Sequence, residues 1–416
     1  MSTETSTDYR RPYRPRLVRA ANGVLGLFGG RGPLTADALV RAAETRTKLA
    51  DHGDRSFEEP LAILLHSIEH EAGLHALGRL ITRIRIVSTL ATRLRLAALL
   101  RARPELERAR ITRPIVIVGL PRTGTTLLHR LLASDEQRIR ALASWEALMP
   151  IPDGDDPDGS AARRIAAAER SEAALRYMAP DFFAVHPIDA RGPEEEILLL
   201  DLELRSTVAE ATMRVPTFAQ WLEGADQSPA YRTMARVLAV LQAQRAPTAP
   251  DWRWVLKTPH HLEWLDELPK VLDRPLVVWT HRDPTEVVAS FCSMIAHGRG
   301  VFSDRVDPHE IGRSWLRKGK RMVERAMAAR AEIGEDSFVD VRYADLVRDP
   351  VAVARMVQER AGLASSPASE AAMREGLRRE VKDRHGVHRY HLADFGLAAS
   401  DVAQAFAPYR DAFDWR

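Results

Sequence analysis

The sequence contains a single cysteine, Cys292, among its 416 residues. One cysteine excludes an intrachain disulfide and supplies no pair of thiolates at the spacing of a zinc site. No apolar run approaches the roughly 20 residues that a membrane-spanning helix needs. The N-terminus is polar and then arginine-rich, unlike a secretory signal. These absences favour a globular protein of the reducing cytoplasm.

The chain also lacks an excess of charge of either sign. Its 60 lysine and arginine residues nearly balance its 57 aspartate and glutamate residues, and the net charge is +3. Proteins that bind nucleic acid usually carry a larger basic excess, so we expect no nucleic-acid partner. With 45% hydrophobic residues, the chain can bury a large core.

The sequence does contain an apolar strand, a glycine-bounded loop and a helix in direct succession. Residues 115–118 are Ile-Val-Ile-Val, and residues 119–126 are Gly-Leu-Pro-Arg-Thr-Gly-Thr-Thr. Leucines then recur with a helical period. This order of elements is typical of a phosphate-binding loop, because backbone N–H groups and the positive helix end converge on an anion. A glycine-bounded turn without a ligand is the alternative.

The loop differs at one position from that of the nucleoside triphosphatases. Their pattern, G-x-x-x-x-G-K-[ST], has a lysine where this chain has Thr125, although the next hydroxyl is present as Thr126. The missing lysine argues against a triphosphate ligand, and no carboxylates are placed to hold magnesium. A P-loop kinase is therefore the weaker alternative. A cation is still present in the loop, at Arg122.

The segment Pro-Arg-Thr-Gly-Thr-Thr at 121–126 resembles the 5′-phosphosulfate loop of sulfotransferases that use 3′-phosphoadenosine-5′-phosphosulfate (PAPS), in particular bacterial ones. A second segment, His-Arg-Asp-Pro at 281–284 with Ser290 downstream, resembles their 3′-phosphate site. The resemblance covers residues 113–397. It implies that PAPS is held by Arg122, Thr123, Gly124, Thr125, Thr126, Arg282 and Ser290, with Tyr343 near the adenine.

The same resemblance implies an activity and a fold. The activity is transfer of a sulfuryl group from PAPS to a hydroxyl of a small-molecule, lipid or glycan acceptor, with no metal. Lys257 and Arg122 would stabilise charge on the departing phosphate. The fold is an α/β P-loop core with a central parallel sheet. A protein that binds the nucleotide without catalysing transfer remains the alternative function.

The general base has two candidates. In tyrosylprotein and several bacterial sulfotransferases it is a glutamate soon after the P-loop helix, and Glu146 matches it here. In cytosolic sulfotransferases it is a histidine near the lysine, which is matched by His261, although the adjacent His260 makes the register ambiguous. We expect Glu146 to be the base in preference to His261. A carboxylate base would keep activity toward pH 5, whereas a neutral histidine would lose it below about 6.5.

The chain divides into three regions. Residues 1–34 are expected to form an irregular basic arm, residues 35–110 a helical region, and residues 111–416 the P-loop domain, with a helical insert at about 160–246. Apolar segments at 115–118, 138–143, 252–257, 276–280 and 338–343 are the predicted strands. Because helical segments separate them, we expect a parallel sheet with right-handed crossovers.

The arginine-rich arm is expected to contact an acidic surface. That surface would belong to the same protein or to a partner subunit, in which case the chain forms a homo-oligomer. Peripheral contact with a membrane is the weaker alternative, because Leu25, Leu27 and Phe28 are too few to anchor the arm.

Overall fold

The apolar segment at 115–118 lies at the centre of a five-stranded parallel sheet. A computed structural model describes residues 8–27, 34–152, 157–379 and 390–413. The strand order is β2-β3-β1-β4-β5. The strands are β1 (Ile115–Val118), β2 (Ile139–Ala141), β3 (Arg253–Lys257), β4 (Leu276–His281) and β5 (Phe338–Arg342). The predicted α/β fold with a central parallel sheet is confirmed, and every predicted strand is present within two residues of its expected bounds.

Twenty α-helices surround this sheet in the described part of the chain. The first ten are α1 (Arg16–Leu27), α2 (Ala36–Thr47), α3 (Glu58–His70), α4 (Ala76–Ala102), α5 (Thr125–Ala133), α6 (Ser144–Leu148), α7 (Pro157–Met178), α8 (Pro180–Val185), α9 (Ile197–Leu200) and α10 (Val208–Thr212). The others are α11 (Pro216–Gly224), α12 (Ser228–Gln244), α13 (Leu268–Val271), α14 (Pro284–Phe302), α15 (Pro308–Ile333), α16 (Tyr343–Arg348), α17 (Pro350–Arg360), α18 (Pro367–Arg379), α19 (Ala399–Ala405) and α20 (Ala407–Ala412). No helix among the described residues is both long and apolar enough to cross a membrane.

Both faces of β1 are covered, which explains its uninterrupted apolar sequence. Val116 and Val118 belong to the core that also contains the helices of residues 35–110, whereas Ile115 and Ile117 pack with α5 and α17 on the other face. Strand β1 pairs with β3 on one side and with β4 on the other. The loop that follows β1 therefore emerges at the middle of the carboxyl edge of the sheet.

Helix α1 corrects one prediction. The arm was expected to be irregular, but residues Arg16–Leu27 are helical. Two internal glycines give this segment a low intrinsic helix propensity. Packing stabilises it instead: Val18 is buried, and the Asn22 side-chain oxygen accepts a hydrogen bond of 3.0 Å from the Leu77 backbone N–H on α4. Tertiary contact thus stabilises a helix that propensity alone would not.

The residues before α1 are attached to α14. The Tyr9 hydroxyl forms a 2.8 Å hydrogen bond with the Ser293 hydroxyl. The Arg14 guanidinium donates to the backbone carbonyls of Gly300 and Ser303, at 2.5 and 3.0 Å, and forms an ion pair with Asp304. The described part of the arm therefore lies on its own chain.

Candidate active site

The loop between β1 and α5 is packed tightly against the ends of β4 and β5. A Cβ atom on Gly119 would lie 2.3 Å from the Thr280 hydroxyl. Gly124 has a left-handed φ of 91°, and a Cβ atom there would lie 2.7 Å from Leu346 and 3.1 Å from the Tyr343 ring. Both positions need glycine because no side chain fits them.

The loop threonines have different environments. The Thr123 side chain is fully buried and forms hydrogen bonds with the Leu120 carbonyl, at 2.6 Å, and the Thr280 hydroxyl, at 2.7 Å. Thr125 is also buried, whereas Thr126 is exposed. Of the three hydroxyls, only that of Thr126 is open to a ligand. Thr123 and Thr125 can contribute backbone N–H groups at the start of α5.

Three predicted nucleotide-binding residues come together beside this loop. The Arg282 guanidinium lies 4.2 Å from the centroid of the Tyr343 ring and donates to the Arg122 carbonyl at 3.3 Å. It also donates to Glu286 on α14 at 2.9 Å. Arg122 itself is exposed and has a left-handed φ of 74°. A cation is therefore held over an aromatic ring at the rim of the P-loop.

Ser290 lies on α14, two turns after Arg282. Its hydroxyl is buried and has no hydrogen-bond partner among the described residues. A buried hydroxyl without a partner is unfavourable. A phosphate oxygen would satisfy this group, so the residues fit a ligand with a second phosphate.

Lys257 ends β3 and is paired in register with Ile117 of β1, directly before the P-loop. Its ammonium group forms an ion pair with Glu195 at 2.5 Å and donates to the Thr126 hydroxyl at 3.5 Å. Burial favours the neutral form of Glu195, but the Lys257 charge outweighs it and holds the pKa of the Glu195 carboxyl below its usual value. Lys257 therefore provides a positive charge at the mouth of the loop.

His261 does not reach this mouth. It is fully buried, with its Nδ1 2.8 Å from the Tyr231 hydroxyl and its Nε2 2.8 Å from a Glu196 oxygen. The second Glu196 oxygen accepts a hydrogen bond from the Lys257 backbone N–H at 2.8 Å. His261 thus forms part of a chain of hydrogen bonds that fixes the backbone of Lys257. The neighbouring His260 is also buried, and this burial lowers its pKa well below the usual value.

Glu146 is equally enclosed. One carboxylate oxygen accepts a hydrogen bond of 2.9 Å from Arg140 on β2, and the other accepts one of 3.0 Å from the Ala143 backbone N–H at the start of α6. Only 2% of the residue is exposed. Strand β3 also separates β2 from β1. The contacts of Glu146 are those of a residue that caps a helix and neutralises a buried arginine. They do not favour a role as the base.

A histidine outside the predicted motifs, His186, interacts electrostatically with the charged groups at the P-loop. His186 follows α8 and is half-buried. Desolvation lowers its pKa below the usual value; Lys257 and Arg122 act in the same direction, and Glu194 and Glu195 oppose it. His186 is therefore within electrostatic range of the P-loop cations, and its lowered pKa favours the neutral imidazole. No motif surrounds it, so only the tertiary structure reveals it.

A small cavity lies between the N-terminal arm and α14. The Phe182 ring, whose centroid lies 5.8 Å from that of the His186 ring, forms part of its wall, but His186 itself does not line it. The arm, α1, α4, α7, α8 and α14 enclose the cavity, whose lining includes the apolar Leu77 and Ile81 and the charged Arg14 and Asp181. With a volume of about 30 Å³, it has room for little more than ordered water.

Comparison with known protein families supports the interpretation of this site. Residues 114–367 match the description "Sulfotransferase family". The chain belongs to this family. It is a sulfotransferase, and enzymes of the family use PAPS as the sulfuryl donor.

Two solved structures resemble this sulfotransferase along most of its length. Sulfotransferase STF9 from Mycobacterium avium is 28% identical, with a TM-score of 0.82, and the match covers 93% of this chain and 98% of that one. Sulfotransferase STF1 from Mycobacterium tuberculosis H37Rv is 33% identical, with a TM-score of 0.77, covering 90% and 98%. No curated protein matches the sequence significantly.

Proposed function

We propose that this sulfotransferase binds PAPS and transfers its sulfuryl group to a hydroxyl of an apolar small molecule. The observation that carries the proposal is the pairing of two anion sites. The P-loop N–H groups form one site, and Arg282 with the unpartnered Ser290 hydroxyl forms the other. PAPS has a phosphosulfate and a separate 3′-phosphate, so it requires two such sites, whereas ADP requires one.

The residues around the P-loop support a direct transfer. The acceptor oxygen attacks sulfur, and the bond between sulfur and the bridging phosphate oxygen breaks. The acceptor proton passes to a base, and the products are a sulfate ester and 3′-phosphoadenosine 5′-phosphate. Lys257 and Arg122 stabilise the charge that develops on the departing phosphate. As in phosphoryl transfer, positioning and charge stabilisation carry the catalysis.

His186 is our candidate for that base. Its lowered pKa keeps the imidazole neutral near pH 7, which suits proton transfer at that pH. It also lies within electrostatic range of Lys257 and Arg122, and it directly follows the apolar residues of α8. Glu146 and His261 lack this combination, because each is enclosed by protein partners.

The first prediction concerns the nucleotide. Arg282→Ala should weaken binding of 3′-phosphoadenosine 5′-phosphate by about 1.5–3 kcal/mol, the range for a hydrogen bond to a charged group. Binding of ADP should change much less, because ADP lacks the 3′-phosphate. Isothermal titration calorimetry with both nucleotides measures the ratio.

Arg374→Ala is the matched control, since Arg374 is exposed on α18 and forms an ion pair with Glu370 on the same helix. Its affinities for both nucleotides should equal those of the wild type. If Arg282→Ala left the affinity ratio unchanged, the 3′-phosphate site would be assigned to the wrong residues.

The second prediction concerns the acceptor. With radiolabelled PAPS, long-chain alcohols and apolar phenols should become labelled more efficiently than free sugars, because the apolar residues Phe182, Phe183 and Val185 of α8 directly precede the proposed base His186. Thin-layer chromatography of the products measures transfer. Nucleotide binding without any labelled product across the panel would favour the non-catalytic alternative.

A further inference from the structure

The exposed apolar side chains of this protein are concentrated in one region. Nine large hydrophobic residues are exposed in the described part of the chain, and six of them lie in the arm, α1 and the first turns of α4. The six, with their exposed fractions, are Tyr13 (57%), Leu17 (70%), Val24 (53%), Leu27 (85%), Leu80 (38%) and Ile84 (54%). Scattered exposure would need no explanation, but a concentration of this kind marks an interaction surface.

The geometry of α1 presents these side chains on one side. Leu17 and Val24 are seven residues apart, which is two helical turns, so they share a face. Val18 and Asn22 point the other way and contact the protein. On α4, Leu80 and Ile84 are one turn apart, and they lie on the same side of the helix as Leu77. We name the residues of these two helices, Leu17, Val24, Leu27, Leu80 and Ile84, the apolar face.

A basic cleft adjoins the apolar face. Four arginines line it, together with Asn22 and Asp304; they are Arg10, Arg11, Arg14 and Arg19. Within the described part of the chain, only Arg14 of these four has a carboxylate partner, which is Asp304. The other three are exposed, as are Arg16 and Arg83 nearby. Among the residues that the structure describes, the lining of the cleft therefore carries a net positive charge.

We propose that the apolar face and its basic cleft bind the surface of an anionic phospholipid bilayer. Helix α1 has the pattern of an interfacial helix, with leucine and valine on one side and arginine beside them. Each arginine near an anionic membrane surface contributes about 1 kcal/mol, and the cleft can hold headgroup phosphates. A second copy of the chain is a poorer occupant, because the two basic clefts would repel each other.

Val18 on α1 and Leu77 and Ile81 on α4 line a small internal cavity and do not belong to the exposed surface. Membrane binding does not depend on the proposed reaction, and the two proposals can fail separately.

Co-sedimentation with vesicles tests the proposal on the full chain. The wild type should bind vesicles of equal parts phosphatidylglycerol and phosphatidylcholine, and bind pure phosphatidylcholine at least tenfold more weakly. Leu17→Ser/Val24→Ser/Leu27→Ser should reduce binding to the anionic vesicles at least tenfold. Arg10→Ser/Arg19→Ser should reduce it about 25-fold, since 1 kcal/mol corresponds to about fivefold.

The matched controls are Leu148→Ser/Val347→Ser and Arg374→Ser, which remove exposed residues elsewhere. They should bind as the wild type does, and all variants should keep the wild-type circular dichroism spectrum and nucleotide affinity. Absence of wild-type binding to anionic vesicles overturns the proposal. So does equal loss in the controls, or a concentration-dependent dimer in gel filtration that only the α1 variants abolish while vesicle binding persists.

Discussion

Replacing His186 by asparagine is expected to lower kcat by about 10²–10⁴-fold, the usual contribution of a general base. Nucleotide affinity should stay within a factor of about two, because none of the proposed nucleotide-binding residues forms a side-chain hydrogen bond to His186 in the described part of the chain. Steady-state kinetics with saturating PAPS and an accepted alcohol measures the effect, and calorimetry with 3′-phosphoadenosine 5′-phosphate checks the affinity.

The pH dependence separates a base from a structural histidine. Because the pKa of His186 is lowered, the wild type should keep its activity down to below about pH 6.5, the ordinary histidine value. Protonation removes the base, so kcat should fall below that lowered pKa. In His186→Asn this acid limb should disappear. His66→Asn, at an exposed position on α3, should retain both the rate and the limb.

A substitution at Glu146, the base preferred from the sequence, tests the opposite assignment. Glu146→Gln should mainly lower stability, because Arg140 would lose its buried partner. If Glu146→Gln instead lost 10²-fold or more in kcat at unchanged melting temperature, while His186→Asn stayed active, the base would be the glutamate.

Replacing Lys318 by methionine is expected to lower the free energy of unfolding by about 3–5 kcal/mol, the range for removing one partner of a buried ion pair. The Lys318 ammonium lies 3.0 Å from Glu210, 3.0 Å from Glu263 and 3.7 Å from Glu223. Methionine fills a similar volume, but it removes the positive charge that stabilises these carboxylates. Chemical denaturation monitored by circular dichroism measures the loss.

The loss of unfolding free energy in Lys318→Met should become smaller as the pH falls from 7.5 toward 5. Burial raises the pKa of Glu210, so this carboxyl can take up a proton and become neutral in the folded variant. Lys320→Met is the control on the same helix, since its ion pair with Glu324 is half exposed, and it should change stability by less than about 0.5 kcal/mol. Equal effects of the two substitutions would mean that the buried ion pairs of Lys318 contribute no more stability than the exposed ion pair of Lys320.

The sheet could be predicted from sequence because its strands are apolar on both faces. Runs such as Ile115–Val118 and Leu276–His281 are short, largely apolar and followed by loops, and these features can be recognised from the sequence alone. Helix α1 could not be predicted, because its stability comes from contact with α4. The intrinsic propensity of this segment, which has two glycines and no acidic residue in its first turn, predicts that it is not helical.

The nucleotide site was also visible in the sequence, since its glycines and arginines occur within two short segments. The base was not. Glu146 follows β2 by five residues, but the position of β3 between β2 and β1 and the ion pair with Arg140 depend on the folded chain. His186 lies 60 residues after the P-loop in the insert, and only folding brings it within electrostatic range of Lys257.

The strand order has a consequence for biosynthesis. Strand β1 pairs through Ile115 with Val255 and with Leu276, which follow it by about 140 and 160 residues. At typical ribosomal rates of about 5–20 residues per second, the nascent chain exposes an unpaired Ile-Val-Ile-Val segment for roughly 7–30 s. Apolar surface that stays unpaired while the chain is incomplete favours aggregation. Efficient production of this enzyme should therefore depend on chaperones that hold the N-terminal third, and overexpression at lower temperature should raise the soluble fraction.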